Sequence, residues 1–159
     1  MKTLILYAST YGYAEQCAKK LADELGGADV INAGKNAPPS LNGYDAVIIG
    51  GSVYMGQIQK NLKEYMQQQK SELITKKLGL FICSGLPDNL DESFTANFPG
   101  ELLEKADAKE YFGGMLDKSK MSIGHRMITK MMESVNKKEG KEGPEPRPEN
   151  IKKLAEAMR

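Results

Sequence analysis

Several things that would fix a function at once are scarce or missing here. There is one histidine, His125, and there are two cysteines, Cys17 and Cys83, neither at metal-ligand spacing. The two thiols read as buried structural residues, one in a helix and one in a strand. No apolar run approaches the roughly twenty residues that cross a bilayer. No leader precedes the first apolar stretch, so the expected address is the cytoplasm. Net charge is only +1 over 159 residues, but it is unevenly spread. Residues 1–117 carry 11 Lys/Arg against 15 Asp/Glu, and residues 118–159 carry 11 against 6. The basic end fits either a solvated face or contact with an anionic partner or membrane surface, and no nucleic-acid partner is expected.

What is present is a repeated alternation. Thr3 to Ala8 is an almost unbroken apolar run, as expected of a strand buried on both faces. Cys17, Ala18, Leu21, Ala22 and Leu25 then recur at helical spacing until Gly26-Gly27. Ala28 to Ala33 reads as a short edge strand, Tyr44 to Gly50 and Leu78 to Ser84 as buried strands, and Lys109 to Met115 as a further strand. Helices are expected from Gln57 to about Gln69, in two pieces across Asp91 to Ala106 around Pro99-Gly100, from Ser122 to Val135, and from Glu149 to Met158 after Pro148. Residues 136–148 are expected to form a mobile, charged loop. The pattern predicts a single α/β domain over 1–159: a doubly wound five-stranded parallel sheet of order 2-1-3-4-5, in a three-layer sandwich. Ligands of such sheets bind beyond the carboxyl ends of strands 1 and 3, where the winding reverses. The loops there and after strand 4 are Ser9–Ala14, Ser52–Gly56 and Ser84–Asp88, all rich in Ser, Gly and aromatic residues.

The first loop is defined partly by what it lacks. No Lys follows a terminal Gly, as a Walker loop needs, and Gly12 stands alone where a dinucleotide fingerprint needs three glycines. Hydroxyls, one Gly and a helix start suit a phosphomonoester held without a counter-charge. Ser and Thr are also common at any helix start.

At these residues the chain resembles the flavodoxin-like FMN-binding family. Ser9-Thr10-Tyr11-Gly12-Tyr13-Ala14 is similar to the family's phosphate loop, T/S-x-T-G-x-T. Ser52-Val53-Tyr54-Met55-Gly56 is similar to its second loop, with Tyr54 as the aromatic that stacks on the flavin. Ser84-Gly85-Leu86 falls where its third loop reads the pyrimidine edge. Two family hydroxyls are replaced by Tyr11 and Ala14, each worth about 1.5–3 kcal/mol against a charged phosphate unless backbone N–H groups compensate. The resemblance implies FMN as cofactor and electron transfer through it, as a carrier docking to redox proteins or as an enzyme. With Asp88 the one carboxylate in the three loops, a reduced flavin would be less destabilised than in an acidic carrier.

A shorter resemblance, in Ser52 to Gly56 and Met115 to Met132, is to the flavodoxin-type menaquinone-dependent protoporphyrinogen IX dehydrogenases. It implies a small apolar substrate, a quinone acceptor and peripheral membrane contact. Met121 to Met132 then reads as a membrane-surface helix or a cover over an apolar pocket, or else as an ordinary helix packing its Met face on the sheet. His125 lies in this segment, remote from the flavin loops, and reads more readily as a packing or surface residue than as a proton shuttle. Receiver domains share the strand order but need an acidic cluster after strand 1, where this chain has Ala8-Ser9-Thr10.

Overall fold

The computed structural model describes residues 1–10, 12–54, 56–84, 90–114 and 146–159. Five parallel strands form one sheet in the order β2-β1-β3-β4-β5, as the alternation predicts. They are β1 (Thr3–Ala8), β2 (Asp29–Asn32), β3 (Ala46–Ser52), β4 (Lys77–Cys83) and β5 (Ala108–Tyr111). The helices are α1 (Tyr13–Glu24), α2 (Lys60–Gln68), α3 (Lys70–Leu73), α4 (Leu90–Asn97), α5 (Gly100–Lys105) and α6 (Pro148–Met158).

Period-two alternation in β1 builds two cores. Leu4, Leu6 and Ala8 face the layer holding Leu62, Met66, Leu73, Phe94 and Leu102, which come from α2 to α5. Ile5 and Tyr7 face Cys17, Leu21, Leu154 and Met158, from α1 and α6. With both faces covered, the strands need no polar side, which is why they read as apolar runs. The inner face expected of α6, namely Ile151, Leu154, Ala155 and Met158, is buried throughout.

Two expectations need correction. Helix α2 starts at Lys60 rather than Gln57, because Gln57 pairs with Tyr54 in a tight antiparallel turn. Strand β5 ends at Tyr111, short of Gly113-Gly114; Gly113 has φ 78°, outside the strand region, and bridges to Pro146. Pro146 meets Gly113, Arg147 N–H donates to the Phe112 carbonyl at 3.0 Å, and Pro148 opens α6. The expected helix from Ser122 to Val135, with His125 and the Met-rich segment, lies outside the described residues, as do residues 136–145.

Candidate functional site

The register puts the ends of β1 and β3 side by side, with Tyr7 against Gly50 and Ala8 against Gly51, and pairs Ser52 with Cys83 of β4. The three loops therefore leave the sheet from adjacent strands along one edge. Gly12 turns the chain from β1 into α1 with φ 93°, a left-handed conformation that a side chain at this position would strain. Its N–H donates to Ser9 Oγ at 2.8 Å, closing the turn.

No side chain caps α1 among the described residues. Glu15, in the first turn, could have filled that role, but its carboxylate is held by Lys19 at 3.2 Å. The Lys19 hydrogen bond keeps that carboxyl below the usual carboxylate range. The amides of Tyr13, Ala14 and Glu15 are thus left at an open, positive helix end. Ala14 is fully buried and Tyr13 donates its phenol to the Phe112 carbonyl at 2.7 Å, so both offer the site their backbone N–H. Burial pushes the Tyr13 phenol well above its ordinary value, which keeps it a neutral donor.

The first and second loops are joined directly. Thr10 N–H donates to Ser52 Oγ at 3.1 Å, and Gln59 Nε2 donates to Thr10 Oγ1 at 3.1 Å and to Ser52 Oγ at 3.0 Å. Val53 N–H continues the ladder to the Cys83 carbonyl at 2.7 Å. Tyr54 and Gln57 exchange backbone hydrogen bonds of 2.9 and 3.0 Å, and Gly56 takes φ 80° in the turn between them. Tyr54 is half-buried, with its phenol oxygen screened from solvent. At the third loop, Ser84 N–H donates to the Gly113 carbonyl at 2.9 Å and its own carbonyl accepts from Tyr111 Oη at 2.7 Å.

Of the residues singled out from sequence, Ser9, Thr10, Gly12, Tyr13, Ala14, Ser52, Val53, Tyr54, Gly56 and Ser84 gather along this edge. Tyr11, Met55, Gly85 and Leu86 lie outside the described residues. Two residues that sequence reasoning missed hold the edge together. One is Gln59, which falls unremarked in the first turn of the helix expected from Gln57. The other is Asn97, buried at 3% exposure, whose Oδ1 accepts from Ile58 N–H at 2.9 Å and whose Nδ2 donates to the Gly56 carbonyl at 3.2 Å. The thiols of Cys17 and Cys83 are free and buried, as expected, and burial pushes Cys83 up. No group able to hold a metal ion occurs among the described residues, and no helix among them is long and apolar enough to cross a membrane.

An open helix end flanked by three hydroxyls lies at the winding reversal of a 2-1-3-4-5 sheet, where ligands of such sheets bind. Residues 4–142 match the family described as the flavodoxin domain, and the chain belongs to that family. Over 77 residues it is 34% identical to protoporphyrinogen IX dehydrogenase [quinone] of Escherichia coli K12, a match covering 46% of this chain and 42% of that protein. Among solved structures it is similar to the rubredoxin oxygen:oxidoreductase of Desulfovibrio gigas, with TM-score 0.59, 16% identity, and coverage of 99% of this chain and 35% of that one. It is also similar to a short-chain flavodoxin associated with a non-canonical PDU bacterial microcompartment, with TM-score 0.58, 16% identity, and coverage of 99% and 97%. At that identity the two structures establish the fold.

Family membership implies FMN as the cofactor. The donor set agrees: the site edge presents uncapped amides and neutral hydroxyls, and the described residues of the three loops carry no carboxylate that would repel a phosphate.

Proposed function

We propose that this protein is an FMN-dependent electron carrier of the flavodoxin type, passing electrons to and from redox partner proteins. Its phosphate site is the open end of α1, with the amides of Tyr13, Ala14 and Glu15 and the hydroxyls of Ser9, Thr10 and Ser52. Tyr54, braced by the Tyr54–Gln57 turn, is the aromatic for one face of the ring. Ser84 begins the loop for the polar edge, and Tyr11, Met55, Gly85 and Leu86 join the site on sequence grounds. FMN, when bound, supplies the electron-carrying chemistry, so the protein's part is to bind, orient and shield it.

One observation carries this reading: the uncapped α1 terminus stands beside the hydrogen-bonded Thr10–Ser52–Gln59 cluster. The test is the absorbance of the purified protein followed by calorimetric titration with FMN. Flavin bands in the preparation, or saturable one-to-one uptake, is the expected result. A colourless protein that gives no heat with excess FMN refutes the reading.

A second reading follows the Escherichia coli relative: an FMN enzyme oxidising a porphyrinogen, with a quinone as acceptor. It is favoured by the 34% identical segment. Flavin-loaded protein would then oxidise protoporphyrinogen in the presence of a menaquinone analogue and sediment with anionic vesicles at low salt. Failure of both retires this alternative and leaves the carrier.

A further inference from the structure

Gln59 occupies the N-cap position of α2, yet its side chain does not cap that helix. It reaches across to the first loop, and its amide nitrogen has two hydrogens to give. One goes to Thr10 Oγ1 at 3.1 Å and the other to Ser52 Oγ at 3.0 Å. Ser52 Oγ also accepts from Thr10 N–H at 3.1 Å. A hydroxyl oxygen has two lone pairs and one hydrogen, so Ser52 Oγ has its acceptor capacity filled and acts as a donor. Its separation from Thr10 Oγ1 is 3.5 Å, too long for a strong O–H···O bond. The hydrogens of both hydroxyls are therefore available to an outside acceptor, and Thr10 is exposed.

The other end of the amide carries the cost of this orientation. Gln59 Oε1 is buried without a hydrogen-bond partner among the described residues, packed so closely over Gly51 that a Cβ there would lie 2.8 Å away. Burying a carbonyl unpaired is unfavourable, so something must compensate for this orientation. The two Nε2 hydrogen bonds are the compensation the structure offers.

We propose that Gln59 is a positioning residue for the phosphate. By donating to both hydroxyl oxygens, it commits the hydroxyls of Thr10 and Ser52 to donate in turn, toward an anion at the open end of α1. This supplies hydroxyl donors in a loop where the sequence replaces two family hydroxyls by Tyr11 and Ala14, and it rests on the FMN reading above.

Riboflavin differs from FMN only by lacking the phosphate, so the ratio of the two affinities isolates the phosphate contribution. Dissociation constants for FMN and riboflavin are measured by calorimetry on the full chain for the native protein, Gln59→Leu and Gln59→Glu, with urea midpoints as a folding control. The native protein should prefer FMN. Gln59→Leu should reduce that preference about tenfold or more, the scale of a hydrogen bond to a charged group, while riboflavin affinity stays within about twofold. Gln59→Glu should reduce it further, because a carboxylate accepts from both hydroxyls and turns their hydrogens inward. An unchanged preference in Gln59→Leu, or equal weakening of both ligands, overturns the role of Gln59 alone. A native protein that binds both flavins equally overturns the phosphate site itself.

Discussion

Replacing Asn97 by Leu removes the polar brace beneath the second loop while keeping the branched heavy-atom skeleton, so the loss does not report a cavity. Asn97 accepts from Ile58 N–H at 2.9 Å and donates to the carbonyls of Ser93 at 2.8 Å and Gly56 at 3.2 Å. Ile58 is 4% exposed, so its amide has no ready access to water once Asn97 Oδ1 is gone. An orphaned buried donor costs about 1–3 kcal/mol, and the bond lost at Gly56 adds about 0.5–1.5 kcal/mol. Gly56 is exposed and its carbonyl can be hydrated, which favours the lower end of that second range. The expected loss is thus about 2–4 kcal/mol. At an m-value of about 1–3 kcal/mol per molar urea, the unfolding midpoint should fall by about 1 M or more. Equilibrium urea unfolding followed by far-UV circular dichroism measures it. A loss below about 1 kcal/mol with unchanged m would refute the claim that Asn97 is what anchors residues 56–58.

Tyr54→Ala should weaken FMN by about 1–3 kcal/mol, on the scale of base–aromatic stacking, and unchanged affinity in a calorimetric titration would remove Tyr54 from the ring face. Gly50→Ala should destabilise the fold by about 1–3 kcal/mol in urea, because its Cβ would lie 2.3 Å from the Phe81 ring, which is itself stacked on Phe112 with centroids 4.6 Å apart. Glu110 tests electrostatics at the far edge of the sheet. Burial raises its carboxyl above the ordinary value, with Lys153 pulling the other way, so the folded state holds this proton more tightly than the unfolded chain does. Stability from this group is present below the unfolded carboxyl value and is lost as pH rises through the folded one. Glu110→Gln should therefore gain stability relative to the native protein between about pH 4 and pH 7, and an equal difference at both ends would contradict that.

The order of the sheet was legible because the three central strands β1, β3 and β4 are covered on both faces and so declare themselves as apolar runs, with the shorter, partly exposed β2 and β5 left for the edges. The closing helix was legible for a related reason: Pro148 fixes its start, and the spacing of Ile151, Leu154, Ala155 and Met158 fixes its buried side. The edge of the site was only half legible. Ser9, Gly12 and Ser52 were visible because a strand end followed by small hydroxylic residues is a local signal. Gln59 and Asn97 act across 49 and 39 residues of sequence, to Thr10 and Ile58, and no local pattern marks such partners. What takes Gln59 out of the helix is the Tyr54–Gln57 pairing around Gly56, seen only in the structure, which moves the helix start to Lys60. Helical periodicity extends smoothly through Ile58 and Leu62, so it hid that shift.

The way these loops are held also bears on what the site does with charge. Near the open α1 terminus the nearest acid on that helix, Glu15, is paired with Lys19 and drawn away from the amides. Ser9, Thr10, Ser52 and Gln59 are neutral, and the described part of the third loop contributes only Ser84. Among the described residues of the three loops, an anion at this edge therefore meets amide and hydroxyl dipoles and no carboxylate, and an added negative charge during reduction would meet the same dipoles. Like charges a few ångströms apart repel by several kcal/mol at the dielectric of a protein surface, so leaving them out matters more than any single hydrogen bond gained. A carrier tuned to a very low potential would place acids around its flavin. The described part of this edge is built the other way, from neutral donors held in register by Gln59 and Asn97, so the expected outcome in a redox titration is a reduced flavin less destabilised than in an acidic carrier.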